Sequence, residues 1–189
     1  MTYTNASDFQ GRLMSGERLL WSGRPEQGLT FSASDGVLIP FSLVWGGFSI
    51  FWLVQVVTMK APAAFVVFGV PFVVIGLFLI FGRFFVDAWL RARTFYAVTD
   101  RRVLILRSGP YGDFRALQLD RLPEAGLRER ADGGGTIIFG QLVSAMSGGR
   151  GGGWAVWVNA LNPTPQFIGI ENVRSVYDLI QKQMDQVER

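Results

Sequence analysis

The side chains that most often carry out enzyme chemistry are scarce in this chain. Its 189 residues include neither cysteine nor histidine, so the thiol nucleophile and the commonest general base are both missing. The imidazole and thiolate ligands of zinc, haem and copper sites are missing for the same reason. The carboxylates of Asp113, Asp120 and Glu124 lack the spacing of a catalytic pair and fall in turns or on the surface. We therefore expect no catalytic residue, no metal site and no cofactor.

A glycine-rich stretch at residues 148–153 surrounds Arg150. A phosphate-binding loop needs a lysine and a hydroxyl residue that open a helix, or a strand before it and a helix after it. Here a tryptophan-rich segment that reads as a strand follows instead. A flexible hairpin loop is the simpler interpretation, and contact of Arg150 with a phosphate or headgroup is the alternative.

Two tryptophans follow this loop in the segment at residues 154–158. Side chains alternate along a strand, so Trp154 and Trp157 are expected on opposite faces. One ring would then lie in the core, and the other would be free to contact a peptide or the membrane. We therefore predict a partner-binding surface formed by Trp154, Trp157 and Arg150.

Two long apolar runs precede these side chains in the sequence and are expected to form the elements that hold the protein in place. Residues 37–59 and 61–82 contain no charge, and Lys60 separates them. A helix rises about 1.5 Å per residue, so each run can cross a hydrocarbon core of about 30 Å. The short link makes the pair an antiparallel hairpin. Two helices buried in a soluble core are the alternative, but neither run has the polar face that such helices need. The 36 mostly polar residues before the first run disfavour a cleaved signal peptide.

The distribution of charge sets the orientation of the hairpin. Residues 83–107 carry a net charge of +4, whereas residues 1–36 and 108–189 each carry −1. Because basic residues that flank a span stay on the cytoplasmic side, both termini are predicted to be cytoplasmic. The confinement of positive charge to one juxtamembrane region disfavours nucleic-acid binding, which usually needs a basic stripe across a domain.

Five arginines of this juxtamembrane region are predicted to contact anionic lipid headgroups. Each basic residue near an anionic leaflet contributes about 1 kcal/mol. Purely structural roles for these arginines are the alternatives to this prediction. Arg83, Asp87 and Arg91 are spaced as a ladder of opposite charges on one helix face, and Arg101 and Arg102 occupy a predicted turn. The predicted lipid-binding residues are Arg83, Arg91, Arg93, Arg101 and Arg102.

The residues after the second run change from a helical to a strand pattern. Residues 83–94 read as a helical extension of the span, and short segments broken by turns then predict six or seven antiparallel strands. Residues 173–187 repeat apolar side chains at three- and four-residue steps, as an amphipathic helix does. This order predicts an α+β domain. The predicted strands are residues 96–99, 102–107, 114–120, 127–131, 136–139, 154–158 and 167–170.

Two segments resemble bacterial membrane proteins that carry a pleckstrin-homology-like (PH-like) domain. Residues 95–109 (FYAVTDRRVLILRSG) resemble the Y-x-[VL]-T-[DN]-x-R hairpin that opens such domains, often directly after two transmembrane helices. Residues 16–25 (GERLLWSGRP) resemble the leader of such membrane proteins. The resemblance implies a bent antiparallel sheet, or split barrel, capped by the C-terminal helix. It implies neither an enzyme nor phosphoinositide binding.

The resulting hypothesis is a multi-pass inner-membrane protein in four parts. They are an N-terminal cytoplasmic segment (residues 1–36), a two-helix transmembrane hairpin (37–82), a juxtamembrane helix extension (83–94) and a PH-like domain (95–189). We expect the domain to act as a non-enzymatic binding or scaffold element for a protein partner or another copy of the chain. A lipid-handling protein that binds anionic headgroups is the second hypothesis, and an enzyme that uses Ser, Asp or Tyr at the membrane surface is the third.

Overall fold

The computed structural model of the chain describes residues 9, 11–32, 34–110, 112–122, 125–140 and 153–187. These residues divide into a pair of long helices and an α+β domain. The helices are α1 (Asp35–Thr58), α2 (Ala63–Leu77), α3 (Arg83–Ala92), α4 (Trp154–Trp157) and α5 (Val173–Val187). The strands are β1 (Leu19–Gly23), β2 (Thr94–Thr99), β3 (Arg102–Arg107), β4 (Asp113–Gln118), β5 (Ala125–Glu129), β6 (Gly135–Phe139) and β7 (Gln166–Ile170).

The long helices form the antiparallel hairpin that the apolar runs predict. α2 passes through a π-helical turn (Phe78–Gly82) into α3, so Ala63–Ala92 is one helical rod of 30 residues. Both α1 and this rod are long and apolar enough to cross a membrane. In each, 17% of the most apolar window is buried within the chain, whereas a helix pair in a soluble core would be mostly buried. The exposed apolar side chains therefore favour lipid as the surroundings of the hairpin.

Small residues let α1 and α2 approach each other closely. A Cβ atom added to Gly76 would lie 2.8 Å from the Cα atom of Gly46, well inside van der Waals contact. Ser42 and Ser49 are buried on α1 and donate their hydroxyl groups to carbonyls of the same helix, at 2.9 and 2.8 Å. Neither hydroxyl is left unsatisfied, as an apolar environment requires.

Replacing Gly76 by alanine is expected to destabilise the hairpin, whereas the same change at Gly47 is not. The new methyl group at position 76 has to push the helices apart, but a Cβ atom at Gly47 meets no atom within 4 Å. Alanine is favoured over glycine in a helix by about 1 kcal/mol. A lower unfolding midpoint for Gly76→Ala therefore has to come from the loss of close packing between α1 and α2. Thermal unfolding of the detergent-solubilised variants tests this, and a higher midpoint for both would contradict it.

The strands form two antiparallel sheets, one in the order β1-β2-β3-β4 and the other in the order β5-β6-β7. Six of the predicted strands are confirmed, with ends that differ by at most two residues. β1 lies in the N-terminal segment, where the sequence pattern predicts no strand. It pairs with β2, with Ser22 opposite Ala97. Residues from both sides of the helical hairpin therefore build one sheet.

Helix α5 covers the core of the domain, as its apolar stripe predicts. Val173, Val176 and Ile180 are buried and pack in one cluster with Phe167 of β7. Phe167 stacks on Tyr96 of β2 with ring centroids 4.5 Å apart, so both sheets and the helix share this core. A helix pair followed by an α+β domain with a C-terminal helix is therefore confirmed.

The strand predicted at residues 154–158 is wrong. The chain there forms the helical turn α4, and a 3-10 turn at Asn159–Leu161 follows. A short apolar run has no period that distinguishes a strand from a helix. The argument that placed Trp154 and Trp157 on opposite faces of a strand therefore fails.

Contacts with α3 account for the path of this segment. Val158 and Ala160 are buried in a cluster with Leu90 of α3. Ala160 also donates its main-chain N–H to Asp87 Oδ1 at 2.8 Å. The segment therefore attaches the domain to α3 instead of extending a sheet.

A buried ion pair joins the N-terminal segment to the first sheet. Both carboxylate oxygens of Glu17 accept hydrogen bonds from Arg102, through Nε and Nη2, each at 2.7 Å. They also accept hydrogen bonds from Thr99 Oγ1 and from Met14 N, both at 2.7 Å. Burial alone would raise the pKa of Glu17, but the hydrogen bonds and the charge of Arg102 outweigh it and lower the pKa to about 2.

The Glu17–Arg102 pair is expected to make the fold sensitive to acid. Because the pKa of Glu17 is depressed in the folded chain, its contribution is complete above the ordinary value of 4.5 and is lost as pH falls toward 2. This contribution is about 3 kcal/mol. Glu17→Gln should lower the free energy of unfolding at neutral pH by that order and weaken its dependence on acid.

Urea unfolding of the detergent-solubilised chain, from neutral to acidic pH, measures this effect. The matched control is Glu171→Gln, which neutralises an exposed carboxylate. Equal losses for the two variants would contradict a special role of the buried pair.

Candidate functional site

A cavity of about 500 Å³ with both charged and apolar lining residues lies where the helical hairpin meets the domain. One wall comes from the start of α1 and from α3 and carries Asp35, Arg83 and Asp87. The opposite wall comes from the second sheet and carries Arg128 and Gln166. The volume is in the range of small-molecule binding sites. We call this space the junction cavity.

Arg83 is a buried cation with incomplete hydrogen bonding. Its side chain is 2% exposed, and its Nη1 lies 2.7 Å from Asp35 Oδ1. Its Nε and Nη2 have no hydrogen-bond partner in the described part of the chain, and its guanidinium lies over the ring of Phe84 at 4.3 Å. A buried donor without an acceptor costs about 1–3 kcal/mol, and more on a charged group. An acceptor atom from a ligand would remove this cost.

Asp35 is held in place by the residues before α1. Its Oδ2 accepts hydrogen bonds from the main-chain N–H and the hydroxyl of Ser32, at 2.6 and 3.0 Å. Its Oδ1 faces Arg83. Both oxygens are therefore engaged, and the carboxylate is not free to turn toward the remaining nitrogens of Arg83.

Arg91, by contrast, finds an acceptor for each nitrogen of its guanidinium. Its Nε donates to Asp87 Oδ2 at 2.7 Å, and its Nη1 and Nη2 donate to the main-chain carbonyls of Glu26 and Gly28. Asp87 uses its other oxygen for the main-chain N–H of Ala160. These bonds fix α3, the N-terminal segment and the turn after α4 around the junction cavity.

The wall formed by the second sheet carries a cation without a counter-ion. Arg130 pairs with Glu26 at 2.7 Å, and Glu129 pairs with Arg174 at 3.2 Å. Arg128 is exposed and forms no ion pair with any residue that the structure describes. Since Arg83 and Arg91 are each neutralised by an aspartate, Arg128 is the lining arginine whose charge remains available to an anionic ligand.

Gln166 connects the junction cavity to a smaller one of about 40 Å³. The smaller cavity also contains Arg107, whose Nη2 donates to the carbonyl of Ala160. Burial lowers the pKa of Arg107 and raises the pKa of the neighbouring Tyr96 to about 12. Among the described residues, four buried side-chain atoms lack a partner, and all four are N–H donors: Arg83 Nε and Nη2, Arg107 Nε and Gln166 Nε2. The unpartnered buried atoms of the described residues are therefore all donors that an acceptor could satisfy.

Three of the five arginines predicted to contact lipid are buried in ion pairs within the chain. Arg83 and Arg91 line the junction cavity, whereas Arg102 lies at the first sheet. The pairs, each with a 2.7 Å contact, are Arg83–Asp35, Arg91–Asp87 and Arg102–Glu17. The structural alternative of a charge ladder holds for Arg91 with Asp87, while Arg83 turns to the other helix.

The remaining predicted residues are distributed over several places. Arg93 is half-buried with its guanidinium 3.9 Å from the ring centre of Trp89, and Arg101 is exposed between β2 and β3. Trp157 lines the junction cavity. Arg150 and the side chain of Trp154 lie outside the described residues. The structure therefore brings Arg83, Arg91 and Trp157 to one site.

Asp35 and Gln166 are cavity residues that the sequence analysis did not select. The sequence does contain a pattern that indicates Asp35. In an antiparallel hairpin, the start of the first helix lies next to the end of the second helix. An aspartate before one apolar run and an arginine directly after the other are then neighbours. Gln166 stands at the start of a short strand, and nothing in the local pattern singles it out.

Asp35 and Asp87 of the junction cavity are each held by an arginine. In the described ranges, no three residues of the His, Cys, Asp or Glu types gather in a group that could hold a metal ion. The cavity offers fixed N–H donors and an arginine, Arg128, that pairs with no described carboxylate.

Removing one member of the Arg83–Asp35 pair is expected to cost more stability than removing both. Asp35→Leu leaves a buried cation and Arg83→Leu leaves a buried carboxylate, at about 3–5 kcal/mol each. The double variant leaves no charge and should recover most of the loss. Unfolding midpoints of the full chain in detergent measure this, and additive losses in the double variant would contradict the buried pair.

Comparisons with protein-family models, with curated proteins and with solved structures found no match for this chain. The junction cavity is therefore interpreted from its own geometry. Its donors, its charge and its place at the end of the hairpin are the basis for a function.

Proposed function

We propose that this chain is a membrane-anchored binding protein, not an enzyme, and that its junction cavity binds an anionic group with several acceptor atoms, such as a phosphate. The hairpin spans the bacterial inner membrane with both termini in the cytoplasm. The α+β domain is PH-like and stands at the cytoplasmic surface, so the cavity lies near the level of the lipid headgroups.

One observation carries this proposal. Arg83 lines the cavity, and two of its guanidinium nitrogens, buried beside the cavity, find no acceptor among the described residues, although Asp35 balances its charge. Phosphate oxygens accept such N–H groups in strong, charge-assisted hydrogen bonds. Arg128 adds a cation, and Gln166 adds a buried amide donor. A ligand rich in acceptors matches this set better than a cation or an apolar molecule.

The PH-like part of the proposal is supported by the way the two resembling segments meet. β1 from residues 16–25 pairs with β2 from residues 95–109, and Glu17 binds Arg102. The strands divide into sheets of four and three, and α5 packs on their shared core. This arrangement is consistent with a split barrel capped by a helix.

Orientation and surface lipid contacts are part of the same proposal. The positive excess at residues 83–107 supports a cytoplasmic domain. Arg93 and Arg101 keep their guanidinium groups at or near the surface, and we propose that they touch anionic lipid beside the hairpin.

A second candidate function is the binding of a protein partner or of another copy of this chain. β4 is the end strand of the first sheet, and its Phe114 is 38% exposed. An end strand presents main-chain groups to which another strand can pair. Chemical cross-linking of the full chain in its native membrane, with and without Phe114→Ser, would test this candidate.

The main proposal predicts that a soluble phosphate ester stabilises the purified protein. Glycerol 3-phosphate and inorganic phosphate are the probes, with sodium chloride at equal ionic strength as the reference. A ligand that binds the folded chain raises the stability by about 2.7 kcal/mol at a hundredfold excess over its Kd. We therefore expect a saturable rise in the thermal midpoint of the full chain in uncharged detergent.

The variants Arg128→Gln and Gln166→Leu should weaken this rise, because the first removes a positive charge from the cavity and the second removes an amide donor. Arg121→Gln is the matched control, since Arg121 is exposed and does not line the cavity. If wild type shows no rise beyond that in sodium chloride, or if all variants respond alike, the proposal is wrong.

A further inference from the structure

We propose that the junction cavity is the headgroup end of a longer site that holds one anionic phospholipid, with an acyl chain in an aromatic groove of the hairpin. This inference rests on the proposed function, because it identifies the phosphate of that proposal as a lipid headgroup. It adds a second part to the site, inside the membrane-spanning segments.

A line of aromatic rings connects the two parts. It starts at Trp157, which lines the junction cavity, and runs along α1 and across to α2. Each ring centroid lies 5.1–6.4 Å from the next. In order, the rings belong to Trp157, Phe41, Trp45, Phe72, Phe68 and Trp52.

The lower part of this line encloses a groove of about 290 Å³. We call it the span groove; it is lined by Trp45, Phe48, Ser49, Trp52, Phe68 and Phe72. The one hydroxyl among these side chains donates to the carbonyl of Trp45 at 2.8 Å, so it is satisfied within the helix. The walls are therefore apolar to a ligand, as an acyl chain requires.

An acyl chain that starts at the junction cavity reaches the near end of the span groove. Trp45 lies ten residues after Asp35 on α1, which corresponds to about 15 Å. Half of a hydrocarbon core is also about 15 Å. Trp52 lies about 25 Å from Asp35 along the helix, so the groove extends beyond the middle of the bilayer.

Charge identifies the lipid class. At the headgroup end, Arg128 forms no ion pair with a described residue, and the buried Arg83 Nε and Nη2 find no acceptor in the described part of the chain. A phospholipid with a net negative charge brings an anion to Arg128, whereas the headgroup of a zwitterionic lipid brings its own cation. A second copy of the chain or a partner helix could fill the span groove, but neither would place an anion in the junction cavity.

Tryptophan quenching in vesicles tests this inference on the full chain. Phosphatidylglycerol brominated on its acyl chains is diluted into phosphatidylcholine, and brominated phosphatidylcholine at the same fraction is the reference. Trp45 and Trp52 border the span groove, so a bound brominated chain would quench them. We expect the anionic lipid to occupy the site with about fivefold higher apparent affinity.

Two kinds of variant locate the bound lipid. Arg128→Gln should remove the preference for the anionic lipid, and Phe72→Ala should reduce quenching by opening a wall of the groove. Phe51→Ala is the matched control, because Phe51 is 61% exposed and lies outside the groove; it should behave as wild type. The thermal midpoint of each variant shows that it is folded.

Three results would overturn the inference. Equal quenching by both lipids in wild type would show that the site does not select the anionic lipid. Equal quenching of Phe72→Ala and wild type would show that the lipid chain does not lie in the span groove. Loss of quenching together with cross-linking of two chains through the groove would assign it to a second copy. In each case the response of the same protein to glycerol 3-phosphate decides separately whether the junction cavity binds a phosphate.

Discussion

The ion pair between Arg83 and Asp35 is the contact on which the arrangement of this protein depends. A guanidinium at the end of an apolar helix has to meet an anion or water, and a buried one needs the anion. Asp35 supplies it from the start of the other long helix, at 2.7 Å. The pair holds together the two helix ends that lie opposite the turn of the hairpin. Because α2 continues into α3 without a break, the pair also positions Asp87 and Arg91 of α3 toward the domain.

The segment before the hairpin ties the domain to this frame. It contributes β1 to the first sheet, the carboxylate that binds Arg102, and the carbonyls that bind Arg91. The domain is therefore assembled from residues that precede and follow the two long apolar helices. A ligand in the junction cavity would touch α1, α3 and the second sheet at once, so its binding would couple the hairpin to the domain.

Local patterns predicted much of the fold. The continuous apolar run of β3 and the apolar stripe of α5 depend on residues a few positions apart, and both are confirmed. The segment at residues 154–158 is too short to show a period, and its contact with Leu90 of α3, not its own sequence, decides its helical turn. β1 was missed because its strand becomes visible only through its pairing with β2.

The sequence by itself determined that the chain has two long apolar helices, a strand-rich region and a C-terminal amphipathic helix, because these follow from the periodicity of neighbouring side chains. The tertiary structure alone decided which groups the arginines contact. Three of those predicted to bind lipid have acceptors up to 90 residues away in the chain, and such pairings depend on where the chain returns. The same distant contacts leave Arg83 partly unpaired beside a cavity, which no local spacing could indicate.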